Sequence, residues 1–227
     1  MNIAIVLSGG TGNRLGADIP KQYIRVREKT IISYCIDVLE NCEQISAIQI
    51  VAEKSWHDVI LENKITKLRG FSEPGENRQL SIFHALEDIK EYADDNDIVI
   101  VHDAARPCVS VRIFEELMKT MQEYEGAIPV LPMKDTVYIS EDAKKITSLL
   151  NRNQVYAGQA PEAFRFKAYY EANKKLFPNQ ILNINGSTEP AVMAGMNIAM
   201  IAGDEANFKI TTIQDLERFQ KLMEERV

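Results

Sequence analysis

The stretch IAIVLSGGTGNRLGADIPKQY, residues 3–23, runs from an apolar segment into a turn of small residues and then to two cations. Ser8, Gly9, Gly10 and Gly12 lie in the turn, and Arg14 and Lys21 follow it. Exposed backbone N–H groups in such a turn can wrap a polyphosphate, and the two cations can neutralise it. Pro20 stiffens the route that carries Lys21 back toward the turn. A second stretch, VHDAARP at 101–107, ends an apolar run and delivers Asp103 and Arg106 to the carboxyl end of a strand. That end is where open α/β sheets bind ligands.

Of two familiar phosphate motifs, one fails on spacing and the other is a weak match. A Walker A loop needs GxxxxGK[ST], but Gly12 is followed by Asn13 and Arg14, and the nearest lysine is Lys21. A dinucleotide fingerprint needs GxGxxG and an acidic residue about 20 positions on; the chain offers GxGxxL, with Ile31 and Ile32 where the acid belongs.

The elements that must hold these residues are readable from periodicity. Apolar runs at 3–7, 47–52, 97–101 and 126–131 read as buried strands, the last tolerating Pro129 only near an edge or irregularity. Between them, Ile31, Ile32, Cys35, Val38 and Leu39 recur at helical spacing, as do Ile113, Phe114, Leu117, Met118 and Met121. A last helix begins near Thr212, with Thr212 and Asp215 at capping-box spacing and Leu216, Phe219 and Leu222 inward. Strands alternating with helices predict a mainly parallel sheet covered on both faces. The polar segment at about 133–155 breaks the rhythm and reads as a projecting β-hairpin with an acidic turn at Glu141 and Asp142. A two-stranded hairpin is marginal alone, so a second subunit is the expected support.

The 227 residues suffice for one full core, and 45% hydrophobic with 26% charged residues is an ordinary globular balance. No apolar run reaches the roughly 18 residues of a membrane span, the N-terminal run is too short for a secretory signal, and the expectation is a cytoplasmic protein. A net charge of −7 argues against a nucleic-acid surface, so phosphate must be bound by a few focused cations. Cys35, Cys42 and Cys108 form no CxxC pair and read as small buried hydrophobes; His57, His84 and His102 have no ligand spacing.

The signature LSGGTGNRLGADIPKQY resembles the nucleotide-binding motif of the CTP-dependent sugar-alcohol-phosphate cytidylyltransferases, a family that acts on methylerythritol phosphate or ribitol 5-phosphate. The likeness recurs in PGENRQLSI at 74–82, VHDAARP at 101–107, KDT at 134–136 and NFKITTIQDL at 207–216. It implies a three-layer αβα Rossmann-like nucleotidyltransferase fold over residues 1–227, with the hairpin as its arm. It further implies CTP as co-substrate, Mg2+ held largely by the phosphates, and a homodimer formed through the arm. In that frame Arg14 and Lys21 neutralise the triphosphate, and Ser8, Gly9, Gly10 and Gly12 wrap it. Gly75, Glu76 and Ser81 correspond to the cytosine-binding positions. Asp103 contacts the acceptor alcohol and lies near the metal, with Arg106 beside it. Arg152 reaches the acceptor phosphate across the dimer interface, and Lys209 contacts that phosphate from the C-terminal motif.

The acceptor half departs from the pattern. Where the family usually has Thr-Pro-Gln the chain has Ala160-Pro161-Glu162, and where a Thr-Asp pair precedes the next helix it has Asn185-Gly186, with Ser187, Thr188 and Glu189 following. Either Ser187 or Thr188 compensates for the hydroxyl missing at Ala160, or the pocket takes a different alcohol phosphate. A noncatalytic CTP-binding module and, behind it, a dinucleotide-dependent oxidoreductase are the alternatives.

Overall fold

The computed structural model describes residues 1–10 and 19–225. In chain order the elements are β1 (Asn2–Leu7), β2 (Arg25–Val26), β3 (Lys29–Thr30), α1 (Ile31–Asn41), β4 (Ala47–Val51), α2 (His57–Leu61), β5 (Leu68–Ser72), α3 (Arg78–Ile89), β6 (Ile98–Asp103) and α4 (Val111–Thr120). There follow β7 (Gly126–Pro132), β8 (Tyr138–Ile139), β9 (Ser148–Leu149), β10 (Tyr156–Gly158), β11 (Glu162–Arg165), α5 (Phe166–Leu176), α6 (Glu189–Met193), β12 (Ile198–Ala202) and α7 (Ile213–Glu225).

Strands β5, β4, β1, β6, β11 and β7 lie side by side, and β7 pairs in addition with β10 and β12. The run β5-β4-β1-β6 is parallel, as is β7 with β12; β11 and β10 are antiparallel to their neighbours. The sheet divides two cores by simple alternation along β1. Ala4 and Val6 face a cluster with Ile32, Ile36 and Leu39 of α1 and Phe114 and Leu117 of α4. Ile3 and Ile5 face the opposite cluster, with Ile82 and Leu86 of α3 and Tyr169 of α5. This is the three-layer αβα arrangement. A third, smaller cluster packs Phe219 and Met223 of α7 onto Val26, Ile31 and Ile210, and the three cysteines are all buried.

The differences from the periodicity reading have local causes. The strand expected at 97–101 begins at Ile98 and continues to Asp103, because His102 and Asp103 pair with Val6 and Leu7 of β1. Asp103 is therefore the last residue of the strand instead of lying beyond it. Pro129 sits at an irregularity: it falls opposite the break between β10 and β11, where its carbonyl accepts from Gln159 N at 2.8 Å. Strands β5 (LRGFS) and β12 (IAMIA) escaped the reading, the first because polar residues interrupt it. At α7 the capping box is reciprocal: Asp215 Oδ2 accepts from Thr212 N at 2.8 Å, and Asp215 N donates to Thr212 Oγ1 at 3.2 Å.

Within 133–155 two short strands, β8 and β9, pair as an antiparallel hairpin. Tyr138 pairs with Leu149 and Ile139 with Ser148, and Asp142 Oδ1 closes the turn by accepting from the N–H groups of Lys144 and Lys145 at 2.8 Å. Among the described residues its apolar side chains find little cover: Tyr138 is 54% exposed and Leu149 62%.

Candidate active site

The described part of the glycine turn is fixed from behind. Gln22, in the short 3-10 turn Lys21–Tyr23, donates its Nε2 to the carbonyls of Ser8 at 2.6 Å and Gly10 at 2.8 Å. Two oxygens that would repel a phosphate are thereby held by an amide. The Ser8 hydroxyl donates to Tyr23 Oη at 2.8 Å, so its side chain serves the loop. Gly9 is required by close approach, since a Cβ there would meet Pro74 at 2.6 Å. At Gly10 a Cβ would point into open space. Gly12 and Arg14 lie outside the described residues.

Across from this turn, Asn77 caps α3 by accepting from Leu80 N at 2.8 Å. Ser81 Oγ accepts from Gly75 N and donates to the Asn77 carbonyl, both at 2.9 Å, which folds the PGEN segment onto the helix. Gly75 has no alternative residue, because a Cβ would lie 2.5 Å from Leu80. PGEN is thus a turn into a helix and also a wall of the cleft.

That cleft, about 980 Å³, opens at the carboxyl ends of β1, β4 and β6. This is where strand order reverses about β1, the usual ligand position in such sheets. Gly9, Gly10, Lys21, Gly75, Glu76, Ser81, Asp103 and Lys209 line it together, so residues far apart in sequence are brought to one place. Arg106 stands behind Asp103. Arg152 is exposed on the arm, donating to the Lys134 carbonyl at 3.1 Å, and no arm residue lines the cleft.

Asp103 is the electrostatic centre. Arg78 Nε and Nη2 each lie 3.1 Å from its Oδ1, Lys209 Nζ lies 3.0 Å from Oδ2, and Arg106 Nε 3.6 Å from Oδ2. Burial pushes the carboxyl up, but Arg78, then Lys209 and Arg106, outweigh it and hold the group well below the usual carboxylate range. Lys209 is brought there by stitching of its segment: Ile210 N donates to the Ala105 carbonyl at 2.8 Å, and Asn207 Nδ2 to the Ala160 carbonyl at 2.7 Å.

Sequence reasoning missed two residues of this constellation. Arg78 occupies the first turn of α3, where the helix dipole disfavours a cation, and that placement was the available signal for a nearby anion. Glu162 is buried; its oxygens accept from Ser187 Oγ and, at 2.6 Å, Thr188 Oγ1, and Arg78 Nη2 lies 4.0 Å away. Burial raises its carboxyl further than Arg78 and the two hydroxyls lower it.

Among the described residues no group of three or more His, Cys, Asp or Glu side chains is placed to hold a metal. Both oxygens of Asp103 already face cations. This donor set suits an ion whose other ligands are phosphate oxygens, and does not form a protein cage.

His102, fully buried beside Asp103, gives a pH signature. Burial, the largest influence, pushes its imidazole down to about 4 from an ordinary 6.5. The folded protein keeps it neutral while the unfolded chain takes up a proton below about 6.5, so stability falls as pH drops from 6.5 toward 4. The expected loss by pH 4.5 is about 2 to 3 kcal/mol. Urea unfolding at pH 7 and 4.5 should show a smaller pH difference for His102→Gln than for the native protein. Glu162 opposes the trend but titrates in both proteins, so equal slopes would refute the assignment.

Comparison with known proteins agrees with this geometry. The family model described as IspD, 2-C-methyl-D-erythritol 4-phosphate cytidylyltransferase, matches residues 2–225. The chain is 29% identical over 232 residues to a ribitol-5-phosphate cytidylyltransferase of Lacticaseibacillus paracasei, covering 100% of this chain and 99% of that one. It is 33% identical over 217 residues to a 2-C-methyl-D-erythritol 4-phosphate cytidylyltransferase of Clostridium botulinum, covering 94% and 95%. The solved 4-diphosphocytidyl-2C-methyl-D-erythritol synthase of Anaerococcus prevotii superimposes with a TM-score of 0.82 at 25% identity, covering 98% of this chain and 96% of that one.

Proposed function

The chain belongs to the IspD family of CTP-dependent cytidylyltransferases, and from that premise we propose that its acceptor is a small polyol phosphate other than 2-C-methylerythritol 4-phosphate, with ribitol 5-phosphate the first to test. An oxygen of the acceptor phosphate bonds to the α-phosphorus of CTP. The bond from that phosphorus to the bridging oxygen breaks, and pyrophosphate leaves with the electron pair. Positioning and charge neutralisation are the protein's task in such a transfer. The observation that carries the reading is Asp103, ringed by Arg78, Arg106 and Lys209 in a cleft shared with the glycine turn.

In this reading Arg14 and Lys21 neutralise the triphosphate over the backbone of Gly9, Gly10 and Gly12, while Ser8, whose N–H is given to the Val51 carbonyl at 2.8 Å, braces the turn instead of wrapping the phosphates. Gly75, Glu76 and Ser81 read cytosine, and Asp103 and Lys209 hold the acceptor, with Arg106, which donates to the Asn207 carbonyl at 2.7 Å, supporting Asp103 from behind. Asp103 would be the protein carboxylate beside a Mg2+ held largely by the phosphates, and that ion would supply further charge neutralisation. The exposed arm packs on a second copy, whose site receives Arg152; the absence of arm residues from the cleft within one chain supports that exchange.

The acceptor assignment is supported by Ala160, 2% exposed, which brings no hydroxyl to a position where the resemblance expects one. A charge-assisted hydrogen bond of that kind is worth about 1.5 to 3 kcal/mol, or roughly ten- to more than a hundredfold in efficiency. The test is pyrophosphate release with 2-C-methylerythritol 4-phosphate, ribitol 5-phosphate and glycerol phosphate, for the native protein and Ala160→Thr. The native protein should favour ribitol 5-phosphate, and Ala160→Thr should gain on methylerythritol phosphate. High native efficiency with methylerythritol phosphate, unimproved by Ala160→Thr, would overturn the acceptor assignment. CTP binding without turnover of any acceptor would leave the noncatalytic module.

A further inference from the structure

We propose that Glu162 is a positioning residue for the acceptor side of the cleft, holding the Arg78 guanidinium together with Asp103 and through Ser187; this rests on the acceptor reading above. The two segments in which the chain departs from its family's pattern, 160–162 and 185–188, are one hydrogen-bonded unit in space. Ser187 Oγ accepts from Arg78 Nη1 at 2.7 Å and donates its own hydrogen bond to Glu162 Oε1. Thr188 Oγ1 donates to Oε2 of the same carboxylate. Tyr169 Oη donates to the Ser187 carbonyl at 2.7 Å, which fixes the turn that carries both hydroxyls.

A serine or threonine hydroxyl has one proton to give. In both residues it goes to Glu162, so neither is a donor for an acceptor phosphate, and the idea that they replace the hydroxyl missing at Ala160 finds no support in this arrangement. What they do is anchor the carboxylate. The carboxylate, through Ser187, completes the set of partners around Arg78: Nε and Nη2 on Asp103, Nη1 on Ser187, and Glu162 Oε1 4.0 Å from Nη2. Arg78 and Asp103 line the cleft, while Glu162 stands behind them. The residue therefore acts through Arg78, by fixing where its planar fork of donors points.

Glu162→Gln keeps the shape and removes the charge. It should raise the KM for the preferred polyol phosphate about tenfold while leaving the KM for CTP within twofold. Thr188→Val, at a half-buried position, should shift the acceptor KM in the same direction by a smaller factor and guards against a misfolded Gln variant. An unchanged acceptor KM in both, or equal rises in both KM values, would overturn the proposal. A cycle of Glu162→Gln with Ser187→Ala, read by urea unfolding, should be non-additive with or without a known acceptor. Additivity would overturn the coupling. Failure of the native protein to use any polyol phosphate would instead sink the acceptor reading, and the unfolding cycle would still decide this one.

Discussion

Lys21→Ala should lower turnover by about a hundredfold or more while the melting temperature changes little. Lys21 lines the cleft, and its 3-10 turn is held by backbone bonds that the substitution leaves intact, such as Tyr23 N to the Pro20 carbonyl at 2.9 Å. The scale is that of losing one preorganised charge-stabilising group from a transfer in which negative charge develops. Steady-state pyrophosphate release and a thermal melt together check it; near-native turnover would remove Lys21 from the chemistry. The same variant tests the arm. Mixed with Arg152→Ala under subunit exchange, it should recover part of the activity, since some mixed dimers hold one site with both residues native. No recovery despite proven exchange would count against a composite site.

Arg78→Met should have the largest effect on stability. Asp103 would keep Arg106 and Lys209, but Glu162 would lose the guanidinium 4.0 Å away and remain a buried carboxylate facing two hydroxyls. Removing one member of a buried ionic group costs about 3 to 5 kcal/mol, and the remaining cations on Asp103 place this case near about 3. For a chain of this size that corresponds to a drop of roughly 6 to 12 °C in Tm. Calorimetry reads it directly. Adding Glu162→Gln to the Arg78→Met protein should return part of the loss, because the charge in need of a partner is then gone. A Tm within two degrees of native would show that Glu162 does not depend on Arg78.

Much of this was legible in the chain, for identifiable reasons. The strands at the sheet centre are buried on both faces, so residues 3–7 of β1 appear as an unbroken apolar run and β4 as one interrupted only by Gln49, and helices α1, α4 and α7 show their stripes. The glycine turn and VHDAARP announced themselves because few arrangements other than a ligand site place small residues and charges directly after such strands. Arg78 and Glu162 stayed hidden for the opposite reason. Each looks like an ordinary surface charge until α3 and β11 are placed beside β6, since the meaning of a charge lies in a partner that no local pattern specifies. The interruption of β5 by Arg69 and Gly70 likewise concealed a strand that its parallel partner β4 holds in place. The contact between segments 160–162 and 185–188 is a purely tertiary fact.

The groups around Asp103 come from the start of α3, the end of β6, the first residue of β11, the turn before α6 and the stretch before α7. Apart from the local pair of Asp103 and Arg106, these meetings close long loops, 25 residues between Arg78 and Asp103 and 109 between Arg78 and Ser187, and the entropy of closing them must be met before any contact is gained. Helices α1 and α4 can form locally while the cleft does not yet exist. The cleft is therefore complete only when the strands that carry these groups are in register. A ligand spanning it binds no partly folded form well, and its stabilisation acts on global unfolding in preference to local fraying.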